Sequence, residues 1–387
     1  MPASSYAQTV KQAPKELFEN LKLVRILDRD SEKRVDGGFT DQNDYFAVTQ
    51  NVTTRGYSYS FVIGGILNQF SPCAGSSYSY RSSLSRNSRY LAVSCEDNMV
   101  EAWDLETTKL LTRFPFGITN NWKKVWVQIS NDGTRLLAGA RFRGEIVELW
   151  DIENGRKIKD LTSEVNVCAN CSGTVDRTVV DFEFSPDFEI AAVSYGGMVF
   201  LWDPVSGRLL RRLIEPKYGS KGLEFAHDAP IGPIVFTKDS RTVITASSDG
   251  RAKSWDVETG KLLNSFHKHS YKRITSVALS SDQRLLVTAG VADDFQLWDF
   301  QTGKLIWDSP DLGKDVIDVF ISPDNKKILS ITSNRFTIWD ISTRSQLERH
   351  KFNLFKDGAP LFSPDWQLAT AFDPKTRKFG LYEYLGS

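Results

Sequence analysis

The chain has no long hydrophobic run. Its longest apolar stretch, around Phe61–Leu67, is broken by Gly64 and Gly65 and is far too short to span a bilayer. Cysteine is scarce, four residues in 387, which is too few for a disulfide scaffold and suits a reducing compartment. Cys73 and Cys95 stand isolated, and Cys168 and Cys171 form a lone CxxC lacking the second pair that a structural zinc needs. Neither charge is in excess: 48 Lys plus Arg face 48 Asp plus Glu, so no global field draws the chain to nucleic acid or to an anionic membrane. The opening MPASSYAQTVKQAPKE has no apolar h-region, which argues against secretion, so the expected location is the cytoplasm, alternatively the nucleus. The four histidines are scattered, and no glycine-rich phosphate loop, HExxH pattern or GxSxG elbow occurs. No cofactor, metal or catalytic group is therefore expected.

What the chain does have is a repeat. Trp-Asp pairs close apolar runs at Trp103-Asp104, Trp150-Asp151, Trp202-Asp203, Trp255-Asp256, Trp298-Asp299 and Trp339-Asp340, at intervals of 47, 52, 53, 43 and 41 residues. Trp307-Asp308 follows Trp298 by only nine residues and is out of phase. A turn tripeptide precedes each Trp: Ser85-Arg86-Asn87, Ser130-Asn131-Asp132, Ser185-Pro186-Asp187, Thr237-Lys238-Asp239, Ser280-Ser281-Asp282 and Ser322-Pro323-Asp324. Ser363-Pro364-Asp365 announces one more copy, with Tyr382 in place of Trp. Short alternating or apolar runs fill the intervals, and glycine turns such as Thr259-Gly260-Lys261 follow several Trp-Asp pairs. Each unit reads as four strands, a to d, with Trp ending strand c.

From Lys22 to the C-terminus the sequence resembles the WD-repeat family, and the resemblance implies an all-β propeller, a closed ring of four-stranded blades. Eight blades are expected, with seven as the alternative. The eighth rests on Phe39-Thr40-Asp41, Tyr45–Val48 and Tyr57–Ile63, which copy the turn and strands b and c without a Trp. Lys22–Leu27 reads as a strand d that the last copy lacks, so the two ends would complete one blade and leave no free sheet edge. Residues 1–21 are then an extension, and 22–387 one propeller domain.

The resemblance also implies a buried structural chain of His227, Thr245, Asp249 and Trp255, a set that leaves no added nucleophile. Other copies are degenerate: Asp97 keeps the turn acid and His269 lies near the loop position, but Gly196 and Ser333 stand where Asp is expected. Arg141-Phe142-Arg143-Gly144 resembles, in permuted order, the Phe-Arg-Arg-Gly motif of phosphoinositide-binding propellers. Three d–a connections are enlarged, Phe114–Lys123, Thr162–Thr178 and Ile214–Ala229, and they precede consecutive blades. Aromatic and Arg residues at such loops are of the type enriched in binding hot spots, so Phe116, Trp122, Arg141, Arg143 and Tyr218 are the candidate partner-binding residues. The function expected is a non-catalytic scaffold for one or more proteins or peptides, with oligomeric state open. The alternative is a propeller enzyme, or a binder of a small ligand or phosphoinositide through the central channel or a basic loop.

Overall fold

The computed structural model describes residues 73, 79–85, 87, 89–95, 97–116, 125–140, 146–161, 179–219, 225–267, 273–291, 294–310 and 312–351, and, as backbone strands, 15–16, 21–28, 31–39, 45–51, 57–63, 66–70, 361–362, 368–373 and 378–384. The described residues are almost entirely β, with one short helix at Pro216–Gly219. Six antiparallel four-stranded arrays each carry one in-phase Trp-Asp pair at the end of the third strand. In the Trp255 sheet, for example, Ile231–Phe236, Thr242–Ser247, Arg251–Asp256 and Leu262–His267 pair in chain order. Trp307 lies in Leu305–Asp308, the fourth strand of the Trp298 sheet. Ser31–Phe39, Tyr45–Asn51, Tyr57–Ile63 and Ile66–Phe70 make a further array, and Leu21–Asp28 pairs antiparallel with Lys378–Tyr384 beside Leu368–Asp373 and Leu361–Phe362. Lys15–Glu16 adds in parallel to Ser345–Lys351 of the Trp339 sheet.

Both sequence markers have a local physical cause. At each described turn tripeptide the first hydroxyl donates to the third side chain, as in Ser130 to Asp132 and Ser185 to Asp187, both at 2.6 Å. The same hydroxyl oxygen accepts the N–H five residues after it, as in Arg135 to Ser130 at 2.9 Å and Thr242 to Thr237 at 3.0 Å. The a–b turn is thus closed by its own side chains. The Asp of Trp-Asp does the same for the c–d turn, Asp256 accepting from Thr259 N–H at 2.7 Å and Asp299 from Thr302 N–H at 2.8 Å. Hydrogen bonds from Thr259 and Thr302 hold those two carboxyls below the usual range, and those from Ser342 and Thr343 bring Asp340 down to about 2. Gly260 takes the left-handed conformation (φ 71) in this turn, and Thr108 (φ 53) does so where the sequence offers no glycine.

Strands b and c are buried nearly throughout, as in Ala191–Tyr195 and Met198–Trp202, whereas strand d alternates toward solvent, as in Leu262–His267. The apolar cores lie between consecutive sheets. Ala92, Val100, Ala102, Phe114 and Phe116 of one sheet and its exit pack with Val125, Ile129, Leu136 and Trp150 of the next. Leu137, Val147 and Leu149 pack in turn with Phe182, Phe184 and Trp202 of the third. The Trp150, Trp202, Trp255 and Trp298 sheets are thus each sandwiched between two such cores, which is why their inner strands are apolar on both faces.

One expectation from cysteine spacing is corrected here. Cys73 and Cys95 are not isolated: their Cα atoms are 5.5 Å apart and a disulfide joins them across 22 residues. The connection before Ser79–Leu84 brings Cys73 against the end of Tyr90–Cys95, a contact that residue spacing does not encode.

Candidate functional site

The polar constellation expected around Trp255 is assembled by three segments. Trp255 Nε1–H donates to Thr245 Oγ1 at 2.9 Å, and Thr245 Oγ1 lies 2.8 Å from His227 Nε2. His227 Nδ1 lies 3.0 Å from Asp249, which also accepts the N–H groups of Asp228 and Arg251 at 3.0 and 2.9 Å. An ionised carboxylate only accepts, so His227 Nδ1 carries the proton that faces Asp249; with the ring neutral, Nε2 is bare and takes the Thr245 hydroxyl proton, while the same Thr245 oxygen accepts from the indole. His227 is thereby fixed as the neutral tautomer with the proton on Nδ1. Burial lowers its pKa below 6.5 against the raising influence of Asp249. Burial opposes ionisation of Asp249 too, yet the bonds from His227, Asp228 and Arg251 overcome it and hold that carboxyl at about 2. Both ring nitrogens are committed, so within this constellation His227 ties segments together and has no nitrogen left for a substrate.

The other sheets solve the indole problem differently. Trp298 and Trp339 donate to Thr288 and Ser330 on strand b, both at 2.9 Å. Val93 and Ala138 stand where that hydroxyl would be in the Trp103 and Trp150 sheets, and there a glutamate two residues before the Trp accepts instead: Glu101 and Glu148, each at 3.0 Å. Lys157 neutralises Glu148 at 2.8 Å, and Arg113 approaches Glu101 at 3.5 Å. Sequence reasoning missed these acceptors, although Glu-x-Trp was the signal, because alternation along a strand puts both side chains on one face. In the Trp202 sheet the two positions are Val193 and Phe200, and Trp202 Nε1 is buried without a hydrogen-bond partner among the described residues. Val193→Thr should place a hydroxyl beside it and raise stability by about 0.5–1 kcal/mol, read as a higher urea midpoint; a lower midpoint would show that the lost methyl outweighs the bond.

Gly196, where an Asp was expected, takes the left-handed conformation (φ 52), and the steric constraint falls on its neighbour Gly197. Gly196 and Gly197 carbonyls accept the N–H groups of Ile231, Ala226 and His227, and a Cβ on Gly197 would lie 2.5 Å from the His227 carbonyl oxygen. The b–c turn of one sheet is thus the seat of the next sheet's d–a connection.

That connection, Ile214–Ala229, is held by charge. Lys217 bridges Glu215 at 3.0 Å and Asp228 at 2.9 Å, and Arg251 of the next b–c turn reaches Asp228 at 3.0 Å. Beneath it Lys253, fully buried, lies 3.0 Å from Glu215 and donates to the Ala226 carbonyl. Burial pulls the Lys253 pKa down while Glu215 pulls it up. The Arg251–Asp228 pair also shows that b–c turns and d–a connections open on one face.

The candidate partner-binding residues divide. Phe116 is corrected: it is only 2% exposed and belongs to the core between the Trp103 and Trp150 sheets, as does Phe114, stacked on Trp150 at 3.9 Å between centroids. Both aromatics finish a neighbour's core. Trp122, Arg141 and Arg143 lie outside the described residues, as do Cys168, Cys171, His269 and the side chain of Tyr218, whose backbone sits in Pro216–Gly219.

Comparison with known proteins agrees with this architecture. The family described as WD domain, G-beta repeat matches residues 260–299. The chain is 28% identical over 195 residues to Autophagy-related protein 16 of Arabidopsis thaliana, which covers 50% of this chain and 33% of that protein. It is 30% identical over 135 residues to WD repeat-containing protein 1 of Xenopus tropicalis, covering 32% and 21%, and 23% identical over 149 residues to Antiviral protein SKI8 of Saccharomyces cerevisiae, covering 37% and 36%. The match thus spans about a third or less of the length of each relative.

Proposed function

The chain belongs to the WD-repeat family, and from that premise we propose that it is a non-catalytic platform on which a protein or peptide docks, using the face of the d–a connections. Family members act in general as protein-interaction scaffolds and are typically not enzymes. We further read the arrays as the blades of a closed eight-bladed ring. The pairing of Leu21–Asp28 with Lys378–Tyr384 supports closure, and the Trp-less array from Ser31 to Phe70 supports the eighth blade. The observation that carries the docking reading is that both described ends of the connection, 214–219 and 225–229, are fixed by Lys217, Asp228, Arg251 and the buried Glu215–Lys253 pair. A loop held in place before contact loses little conformational entropy on binding, which favours affinity.

Trp122→Ala and Arg143→Ala test this reading. Each should weaken recovery of the partner captured by the parent chain, by about 2 kcal/mol or more, with an unchanged thermal melt. A folded double variant that retains the same partners in the same yield would move the binding surface to the central channel or the opposite face.

A further inference from the structure

Cys73 and Cys95 sit at the root of the first enlarged connection, and two hydrogen-bonded routes run from them to it. Cys95 carbonyl accepts Asn98 N–H at 3.2 Å, and Asn98 carbonyl accepts Phe116 N–H at 2.8 Å. Cys73 N–H donates at 2.8 Å to Glu101 Oε2, the oxygen that also accepts Trp103 Nε1–H at 3.0 Å. Glu101 faces Arg113, which pairs as well with Asp97 and lies in the strand that delivers Phe114 and Phe116. Cys73 holds a left-handed backbone (φ 61), unusual for a residue with a side chain. Its restraints are the bond to Cys95 and the N–H to Glu101. Leu91, Val93 and Leu105 share an apolar cluster with both cysteines.

We propose that Cys73 and Cys95 are a redox-responsive staple that sets the conformation of 113–116, where the first enlarged connection begins. In a reducing compartment both are thiols. A low-molecular-weight disulfide closes the pair in two exchanges. One cysteine thiolate attacks the small disulfide and releases one small thiol; the second thiolate then breaks the mixed disulfide and releases the other. Two cysteine thiols and one small disulfide become one protein disulfide and two small thiols, which keep the two protons. Both cysteines are buried, so exchange in either direction passes through a local opening of the segment bearing Cys73. Opening of the bond removes one restraint on Cys73, and Glu101 transmits the shift to Trp103 and Arg113. The effect on partner binding rests on the docking reading above; the effect on the connection does not.

The experiment uses the full chain carrying Cys168→Ser and Cys171→Ser, equilibrated with oxidised or reduced glutathione. Alkylation after denaturation counts free thiols by mass, and hydrogen exchange follows peptides spanning 112–124. Oxidation should remove two thiols together, and reduction should speed exchange in 112–124 by about tenfold while peptides over 242–256 stay unchanged. A Cys73→Ser chain should exchange fast in both buffers. The proposal is overturned if both thiols persist in oxidised glutathione, if the pair closes with no change in 112–124, or if the Cys73→Ser chain stays slow. No partner is present in these measurements, so a failure of the docking reading leaves their outcome standing.

Discussion

Removal of Met1–Leu27 should lower the melting temperature by roughly 10 °C or more and drive the protein to self-associate. Leu21–Asp28 pairs along most of Lys378–Tyr384, with Leu21 opposite Tyr384, Leu23 opposite Tyr382 and Ile26 opposite Gly380. Deleting it strips the hydrogen-bond partners from one edge of the strand that carries Tyr382, an edge flanked by Leu381 and Tyr384. Unpaired edges of this kind template association with other chains. Several backbone hydrogen bonds are lost together, on the order of 5 kcal/mol, which corresponds to a shift of that size in a large domain. Calorimetry and size-exclusion chromatography of the truncated chain measure both effects. A synthetic peptide of residues 13–30 should restore part of the loss. A truncated protein that melts like the parent and remains monodisperse would remove closure through this strand.

Asp249→Ala should cost about 3 kcal/mol, the largest effect expected of a single side chain on the buried chain of bonds. The substitution leaves His227 Nδ1–H and the N–H groups of Asp228 and Arg251 without their acceptor, and each unsatisfied buried donor costs about 1 kcal/mol or more. Asp249→Asn, which keeps one oxygen, should cost less. The same constellation sets a pH dependence. His227 is favoured neutral in the folded protein because burial lowers its pKa below 6.5, so the unfolded chain takes up a proton first and stability declines as pH falls below about 6.5. Asp249 titrates at about 2 folded against 3.8 unfolded. Its contribution, roughly 2 kcal/mol, is complete above pH 4 and is lost as pH falls toward 2. Urea midpoints between pH 7 and pH 3 should show the decline below pH 6.5 in the parent. A flat profile would mean that His227 is charged or exposed in the folded state.

The parts of the architecture that were legible in the sequence are those whose cause is local. Ser185-Pro186-Asp187 and its companions mark a–b turns because hydroxyl and carboxylate bond within three residues. Trp-Asp marks the c–d turn because the Asp accepts an N–H two or three residues on. The His227 set could be matched because its residues are the ones that buried hydroxyl, imidazole and indole groups require. What spacing could not supply was contact between distant segments. Nothing in the residues near Phe116 says that it completes the core around Trp150, so an aromatic loop residue looked like a docking residue. Lys253 looked like an ordinary strand position, yet Glu215 makes it a buried ion pair. Cys73 and Cys95 came together through the fold of a connection that carries no motif.

Cores that lie between sheets make the repeat a poor unit of exchange. The ring of Trp150 is completed by Phe114 of the sheet before it, and Leu137, Val147 and Leu149 of the Trp150 sheet belong to the core of the sheet after it. Excising or swapping one repeat therefore joins two surfaces never selected to fit each other, and a sheet that melts exposes apolar area on both its neighbours. From the Trp103 sheet to the Trp339 sheet, loss of one sheet should therefore destabilise the next, so that these sheets unfold together and not one at a time.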